Sequence, residues 1–428
     1  MSYFYVLVLF GIIILVHELG HFMAALAIGV QVQTFSIGFG PRLFGMRFGG
    51  TDFRLSAIPF GGYVQTHILS LQSKPKWQRA VVIVGGPLLN IVLAIGIVAG
   101  IYMYAYPKPM GTTNPVIASI KAGSAAAQAG LQSGDRIVEF DGKREPNWEF
   151  ILMQEALNAN YPINGIVERQ RQLVRFTVIP RMDAKHCIGV AGWVAEQNIR
   201  VGEVEQGSPA SRAGLRRGDL FVTANGQRLA SPVMIQQAVF HSGGNPVDFQ
   251  VLRNGRLESI TITPSLTNKP GTPWRIGISV SVPFQLVKLG LGGALKESVQ
   301  LNRQNALMVL GVLEGIVEGR VSPKLISGPI GMAQMSSKAA QAGVESCLFL
   351  MASLSLQVAI FNLLPIPILD GGALLILIIE ILTHGDISLQ IKEVVFKLAF
   401  VFLMMIMVFS IYNDVTRLVA ATVGRSLC

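Results

Sequence analysis

The chain has 428 residues, 51% hydrophobic and only 14% charged, with a formal net charge of +10. A charged fraction so far below the roughly one quarter of soluble domains excludes a wholly soluble globular protein. The surplus of basic residues reads as membrane topology rather than as a nucleic-acid footprint, and three widely spaced cysteines, Cys187, Cys347 and Cys428, predict neither a disulfide framework nor a C-x-x-C metal site.

Four apolar stretches are long enough to span a bilayer, at about 4–28, 81–105, 347–369 and 394–420. The first holds Val16-His17-Glu18-Leu19-Gly20-His21, an H-E-x-x-H motif. On a helix the two histidines share one face, where both imidazoles can reach one metal ion and Glu18 can act on a bound water. The surroundings are apolar on all sides, as expected for a site buried in a membrane. A cleavable signal peptide is disfavoured: no Lys or Arg precedes Arg42, and the apolar run carries His17, Glu18 and His21.

Residues 29–79 carry Arg42, Arg47, Arg54, Lys74, Lys76 and Arg79 against the single acid Asp52. The positive-inside rule puts this loop in the cytoplasm, and four spans then leave both termini outside. Gly49-Gly50 between alternating apolar residues predicts a hairpin, flanked by Gly38-Phe39 and Gly61-Gly62. The hairpin either lies on the membrane surface or dips beside the metal helix as a re-entrant sheet bordering a wet cavity.

Residues 107–343 form one extracytoplasmic segment containing a repeat. Ile117–Lys143 aligns without gaps on Val201–Gln227 at an offset of 84, with ten of 27 positions identical. The matches include Gly130, Leu131, Gly134 and Asp135 with Gly214, Leu215, Gly218 and Asp219. Strand, Gly-Ser-x-Ala helix start, Ala-Gly-Leu-x-x-Gly-Asp turn, strand and hairpin resemble the PDZ domain of bacterial proteases. PDZ domains take extended peptides at a sheet edge; the competing reading is a pair of rigid spacers or size filters. From about 283 to 343 the chain predicts amphipathic helices, broken at Ser327-Gly328-Pro329-Ile330-Gly331.

A catalytic zinc takes three protein ligands and keeps one open position. Asp370 is the leading third ligand, because Pro365 and Pro367 stop the third span before it and Gly371-Gly372 allow close backbone approach. Glu380 is the runner-up, and His67 and His384 read as surface residues. Glu18 is the expected general base, and the Asn362 amide is placed to hold the substrate backbone or the oxyanion. A substrate helix must unwind to be cut, and a sheet edge within 35–64 could pair its freed backbone groups.

His17-Glu18-x-x-His21 in the first span, Asn362-x-x-Pro365-x-Pro367-x-Leu369-Asp370-Gly371 after the third, and tandem repeats between spans two and three resemble the bacterial site-2 protease family of intramembrane zinc metallopeptidases. Phe35-Ser36-Ile37-Gly38-Phe39-Gly40, Gly61-Gly62-Tyr63-Val64, Gly86-Pro87-x-x-Asn90 and Ser327-Gly328-Pro329-Ile330 extend the likeness over almost the whole chain. The resemblance implies one Zn2+ per chain on His17, His21 and Asp370, with Glu18 catalytic. Asn362, Pro365, Gly38, Phe39, Gly61 and Gly62 are then expected at the substrate. It also implies cleavage of single-span proteins already trimmed by another protease, such as anti-sigma-E factors and remnant signal peptides, in the bacterial inner membrane.

The expected architecture is a polytopic α-helical membrane protein with four transmembrane helices, a small membrane-associated β-sheet and two extracytoplasmic PDZ (α+β) domains. Its boundaries are 1–106, 107–193, 194–268, 269–343 and 344–428. Two features depart from the family pattern: Ala373 stands where relatives often have histidine, and the stretch from Val64 to Trp77 is short. A non-catalytic PDZ scaffold with a vestigial metal site is the alternative, disfavoured by the intact Glu18. An ion transporter would want more polar residues in spans two and four.

Overall fold

The computed structural model describes residues 2–66, 68–104, 106–109, 115–183, 187–266, 274–281 and 284–423. His67 lies outside the described residues. The chain divides into two compact units: residues 1–105, 288–313 and 323–427 in the first, and residues 106–287 with 314–322 in the second.

The first unit is a helical bundle with one small sheet. Its longer helices are α1 (Ser2–Ala27), α2 (Lys76–Tyr104), α3 (Leu291–Val317, of which 314–317 belong to the second unit), α4 (Pro329–Ala342), α5 (Val344–Asn362), α6 (Asp370–Leu382) and α7 (Leu389–Val423). Four of them contain stretches apolar and long enough to cross a membrane: Val8–Ala27, Lys76–Tyr104, Val344–Asn362 and Gln390–Val419. The third span is shorter than expected. It ends at Asn362, where Pro365 and Pro367, lacking N–H donors, prevent its continuation. The chain turns through 363–369 and restarts as α6 at Asp370.

Helix α2 is the centre of the bundle, packed on α1, α5 and α6. Small residues set the approach: a Cβ on Gly20 of α1 would overlap the Gly85 carbonyl of α2, so the two backbones touch. Leu9 and Ile13 of α1 bury against Leu354 of α5. Helix α4 packs on α1, α5 and α7. Its first turn is capped by Asp414 of α7, a 3% exposed carboxylate that accepts from the N–H groups of Gly328, Ile330 and Gly331 at 3.0, 2.9 and 2.9 Å.

The sheet consists of β1 (Val32–Phe48) and β2 (Thr51–Thr66), joined at Gly49-Gly50. Both glycines have positive φ, +57° and +87°, as a tight two-residue hairpin turn requires. Each strand bends, so the two strands supply four segments joined by three pairings. Segment 32–37 pairs with 62–66 and also with 52–55, while 42–48 pairs with 51–56. The sheet packs on α1, with Phe22 edge-on to Phe35 and Phe53 at 5.5 and 5.6 Å. The outer segment leaves Leu43, Phe44, Met46 and Phe48 exposed.

The second unit holds two modules built from the repeat. The first contains β3 (Ile117–Ile120), β4 (Arg136–Phe140), β5 (Ile163–Arg169), β6 (Gln172–Val178) and β7 (Trp193–Ala195) around the helix Trp148–Leu157. Strands β4, β5 and β6 form one sheet, and β7 pairs with β3. The second contains β8 (Arg200–Val204), β9 (Leu220–Ala224), β10 (Val247–Arg253), β11 (Arg256–Ile262) and β12 (Ile278–Ser281) around the helix Pro232–His241. Its sheet runs β11-β10-β9-β8-β12. The closing strand therefore lies past the expected domain end at 268, as β7 runs past 193. Each module has its own core, centred on Phe140, Ile151 and Val167 in the first and on Phe249, Val251 and Ile262 in the second. Cys187 is buried. Cys347 is free.

Candidate metal centre

The H-E-x-x-H spacing places His17 and His21 on one face of α1, with ring centroids 4.9 Å apart and Nε2 atoms 3.2 Å apart. Asp370, at the start of α6, brings Oδ2 to 3.1 Å from His17 Nε2 and 3.4 Å from His21 Nε2. The approach depends on Gly371 and Gly372. A Cβ on either would overlap the backbone carbonyls of Leu363, Leu364 or Ile366, so only glycine lets α6 begin directly under the 363–369 turn.

Three donor atoms thus form a nearly equilateral triangle. Ligands about 2.0–2.1 Å from a tetrahedral zinc lie roughly 3.3–3.4 Å from each other, and two imidazoles with one carboxylate are a catalytic zinc set. Asp370 Oδ2 is buried, and the polar groups it faces are the two ring nitrogens. A carboxylate oxygen stranded between two ring nitrogens fits a cation in their midst. Among the described residues His17, His21 and Asp370 form the one group of at least three metal-type ligands.

Glu18 is 9% exposed and faces the sheet. A Cβ on Gly62 would lie 2.8 Å from Glu18 Cγ and 2.8 Å from the Ser36 carbonyl, so β2 passes the carboxylate at glycine distance. Gly61, with φ +92°, makes room for the Phe39 ring, which stacks on Tyr63 at 6.0 Å, and Gly38 accepts from Ser36 Oγ at 3.0 Å. The four sheet residues expected at the substrate therefore divide: Gly62 is against Glu18, while Gly38, Phe39 and Gly61 shape the adjoining backbone.

Asn362 is half-buried at the C-terminal end of α5, and Pro365 is exposed in the following turn. Glu380, the alternative third ligand, is engaged elsewhere: it pairs with Lys392 at 2.6 Å and accepts from Ile387 N–H at 3.2 Å. His384 is exposed.

The turn residues of the two modules are pinned rather than free. Asp135 takes both Arg169 guanidinium bonds at 2.7 Å, and Asp219 takes those of Arg253 at 2.8 and 2.6 Å. The same arginines donate to the Gly130 and Gly214 carbonyls. Gly130, Gly134, Gly214 and Gly218 have φ between +73° and +92°, and Leu131 and Leu215 are buried. The pairing holds Asp219 below the ordinary carboxylate range: burial opposes this, but Arg253 and the Arg216 N–H outweigh it. Sequence reasoning missed both arginines, although the offset of 84 relates Arg169 to Arg253 as it relates Asp135 to Asp219.

A family model described as Peptidase family M50 matches residues 5–406. The chain belongs to Peptidase family M50. This M50 peptidase is 31% identical to the regulator of sigma E protease of Haemophilus influenzae over 95% of this chain and 97% of that protein. It is 31% identical to a putative zinc metalloprotease of Pasteurella multocida, covering 96% and 98%. It is 29% identical to the regulator of sigma-E protease RseP of Escherichia coli, covering 96% and 98%. Among solved structures, it is similar to the PDZ domain of an SdrC-like protein from Listeria monocytogenes, with 24% identity over 20% of this chain and 90% of that one, at a TM-score of 0.19. The corresponding Listeria innocua domain matches at 28% identity over 19% and 92%, with a TM-score of 0.18. With four apolar helices and this family, the chain is a membrane zinc metalloprotease of the site-2 type.

Proposed function

We propose that this M50 peptidase hydrolyses a peptide bond inside the transmembrane segment of single-span membrane proteins, with one zinc on His17, His21 and Asp370. The observation that carries the reading is the triangle of 3.1, 3.2 and 3.4 Å between their donor atoms, with Glu18 beside it. A zinc ion held there supplies Lewis acidity toward a water and toward the scissile carbonyl.

Glu18 takes the proton of the attacking water as its oxygen bonds to the carbonyl carbon. As the C–N bond breaks, Glu18 returns that proton to the leaving amine. The Asn362 amide and the 363–369 turn contact the substrate backbone. A helix entering this site loses its internal hydrogen bonds, and strand addition to the neighbouring sheet restores them. Close passage of β2 at Gly62 supports that role, as does the exposed apolar outer segment Leu43–Phe48.

The two modules act as PDZ domains on the extracytoplasmic side, at 107–193 and 194–268 with the closing strands noted above. The basic 29–79 loop supports a cytoplasmic position for the sheet and outside termini. In the second module a groove of about 440 Å³ lies between the helix Pro232–His241 and the edge strand β12, lined by Ile235, Val239, Ile276 and Ile278. It suits an extended apolar peptide end. By analogy with the sigma-E regulators among its relatives, the substrates are anti-sigma-factor stubs left by a first cut, and remnant signal peptides.

The test is cleavage of a membrane-embedded anti-sigma stub by the purified full chain and by Glu18→Gln. Loss of a general base costs about 10²–10⁴-fold in rate. Equal cleavage by both proteins would overturn the reading in favour of a scaffold.

A further inference from the structure

Helix α2 stands behind both histidines, but it serves them differently. His21 Nδ1 lies 2.8 Å from the Val82 carbonyl. A carbonyl can only accept, so Nδ1 carries the proton and Nε2 turns its lone pair to the ligand triangle. Behind His17 the group is a side chain. Asn90, fully buried, places Nδ2 3.3 Å from His17 Nδ1, and its Oδ1 is buried without a partner.

With Nδ2 toward the ring, the amide donates to the Nδ1 lone pair. The ring proton is then on Nε2, facing Asp370 Oδ2 at 3.1 Å. That arrangement suits a histidine hydrogen-bonded to a carboxylate, and it blocks ligation through Nε2. Turning the amide by half a revolution brings Oδ1 to Nδ1. It then accepts from Nδ1–H, and Nε2 is free to bind a metal.

We propose that Asn90 is the positioning residue that sets the tautomer of His17, accepting from Nδ1–H when Nε2 binds zinc and donating to Nδ1 when Nε2 is protonated. The inference rests on the zinc reading above. An amide is the side chain of this size that offers a donor and an acceptor from the same place. Aspartate offers only the acceptor, and leucine fills the space with neither. The residue is held firmly: Ser355 Oγ on α5 donates to the Asn90 carbonyl at 2.9 Å, fixing that turn of α2.

The test measures zinc affinity of the solubilised full chain by competition with a chromogenic chelator, for wild type, Asn90→Leu and Asn90→Asp. The unfolding midpoint of each zinc-free protein is recorded alongside. Losing the group that orients a metal-bound histidine costs about 10–100-fold in affinity, so Asn90→Leu is expected to weaken zinc by that factor. Asn90→Asp is expected to hold zinc at least as tightly as wild type, because a carboxylate keeps Nδ1 protonated. A packing role alone would move the midpoints and leave Asn90→Asp without rescue. Wild-type affinity in a folded Asn90→Leu would overturn the assignment. So would loss of zinc from Asn90→Asp, which decides the matter if the leucine variant fails to fold. Wild type that binds no zinc would instead sink the zinc reading itself.

Discussion

A Cβ on Gly86 of α2 would overlap Nε2 of His21, whose ring is tied back to Val82. The ring cannot swing away without losing that bond and its place in the triangle. Gly86→Ala is therefore expected to cost zinc more than it costs fold, seen as a zinc content well below one per chain at an unfolding midpoint near that of wild type. At this scale the sequence was informative about half of the centre. His17, Glu18 and His21 share one helix, and their spacing alone puts them together. Asp370 could be nominated because a carboxylate after an apolar, proline-broken stretch has few innocent explanations, but Glu380 was equally apolar in setting. The prolines and glycines around Asp370 ranked it first, and the structure adds that Asp370 lies at both histidines while Glu380 pairs with Lys392. Gly86 and Asn90 were visible as residues, yet nothing local says which side chains of α1 they face.

Among the elements, the helix Trp148–Leu157 carries an unusual group. Glu155 is buried at 5% exposure, its carboxylate accepting from the Ala191 N–H and from the Trp193 indole at 2.8 Å. Burial pushes its carboxyl up to about 7, and the two hydrogen bonds only partly oppose that. The unfolded chain ionises near 4.5 and the folded chain near 7, so the first module is most stable at acid pH and loses stability as pH rises between those values. Hydrogen exchange over residues 147–195 in the full chain, corrected for intrinsic rates, is expected to show more protection at about pH 5.5 than at about pH 8. Glu155→Gln should flatten the difference; a difference unchanged in that variant would remove Glu155 as its source. The equivalent position of the second module is Val239, which lines the open groove there. Repeat spacing made the two modules legible, since identical turn residues recur in register. The closing strands β7 and β12 were not, because they lie beyond the matched stretch and return to pair with β3 and β8. In the bundle, apolar length announced four spans. The sheet was legible as a hairpin, but its four-segment pairing depends on bends that no alternation pattern encodes.

Across the whole molecule, the candidate metal centre draws on the beginning and the far end of the chain, with both modules inserted between them in sequence. Residues 106–287, with 314–322, form a unit with cores of their own. The same separation explains why sequence reading reached the four apolar helices and the sheet but not the packing: α2 holds the bundle together through Gly85, Gly86 and Asn90, whose partners lie on α1 and α5. The central claim is that Asp370 completes the site begun by His17 and His21. Its most direct test is the zinc content of the purified full chain against Asp370→Ala, with folding checked by the same unfolding assay. The account predicts one zinc per wild-type chain and little or none in a folded Asp370→Ala. Full zinc in that variant would contradict it.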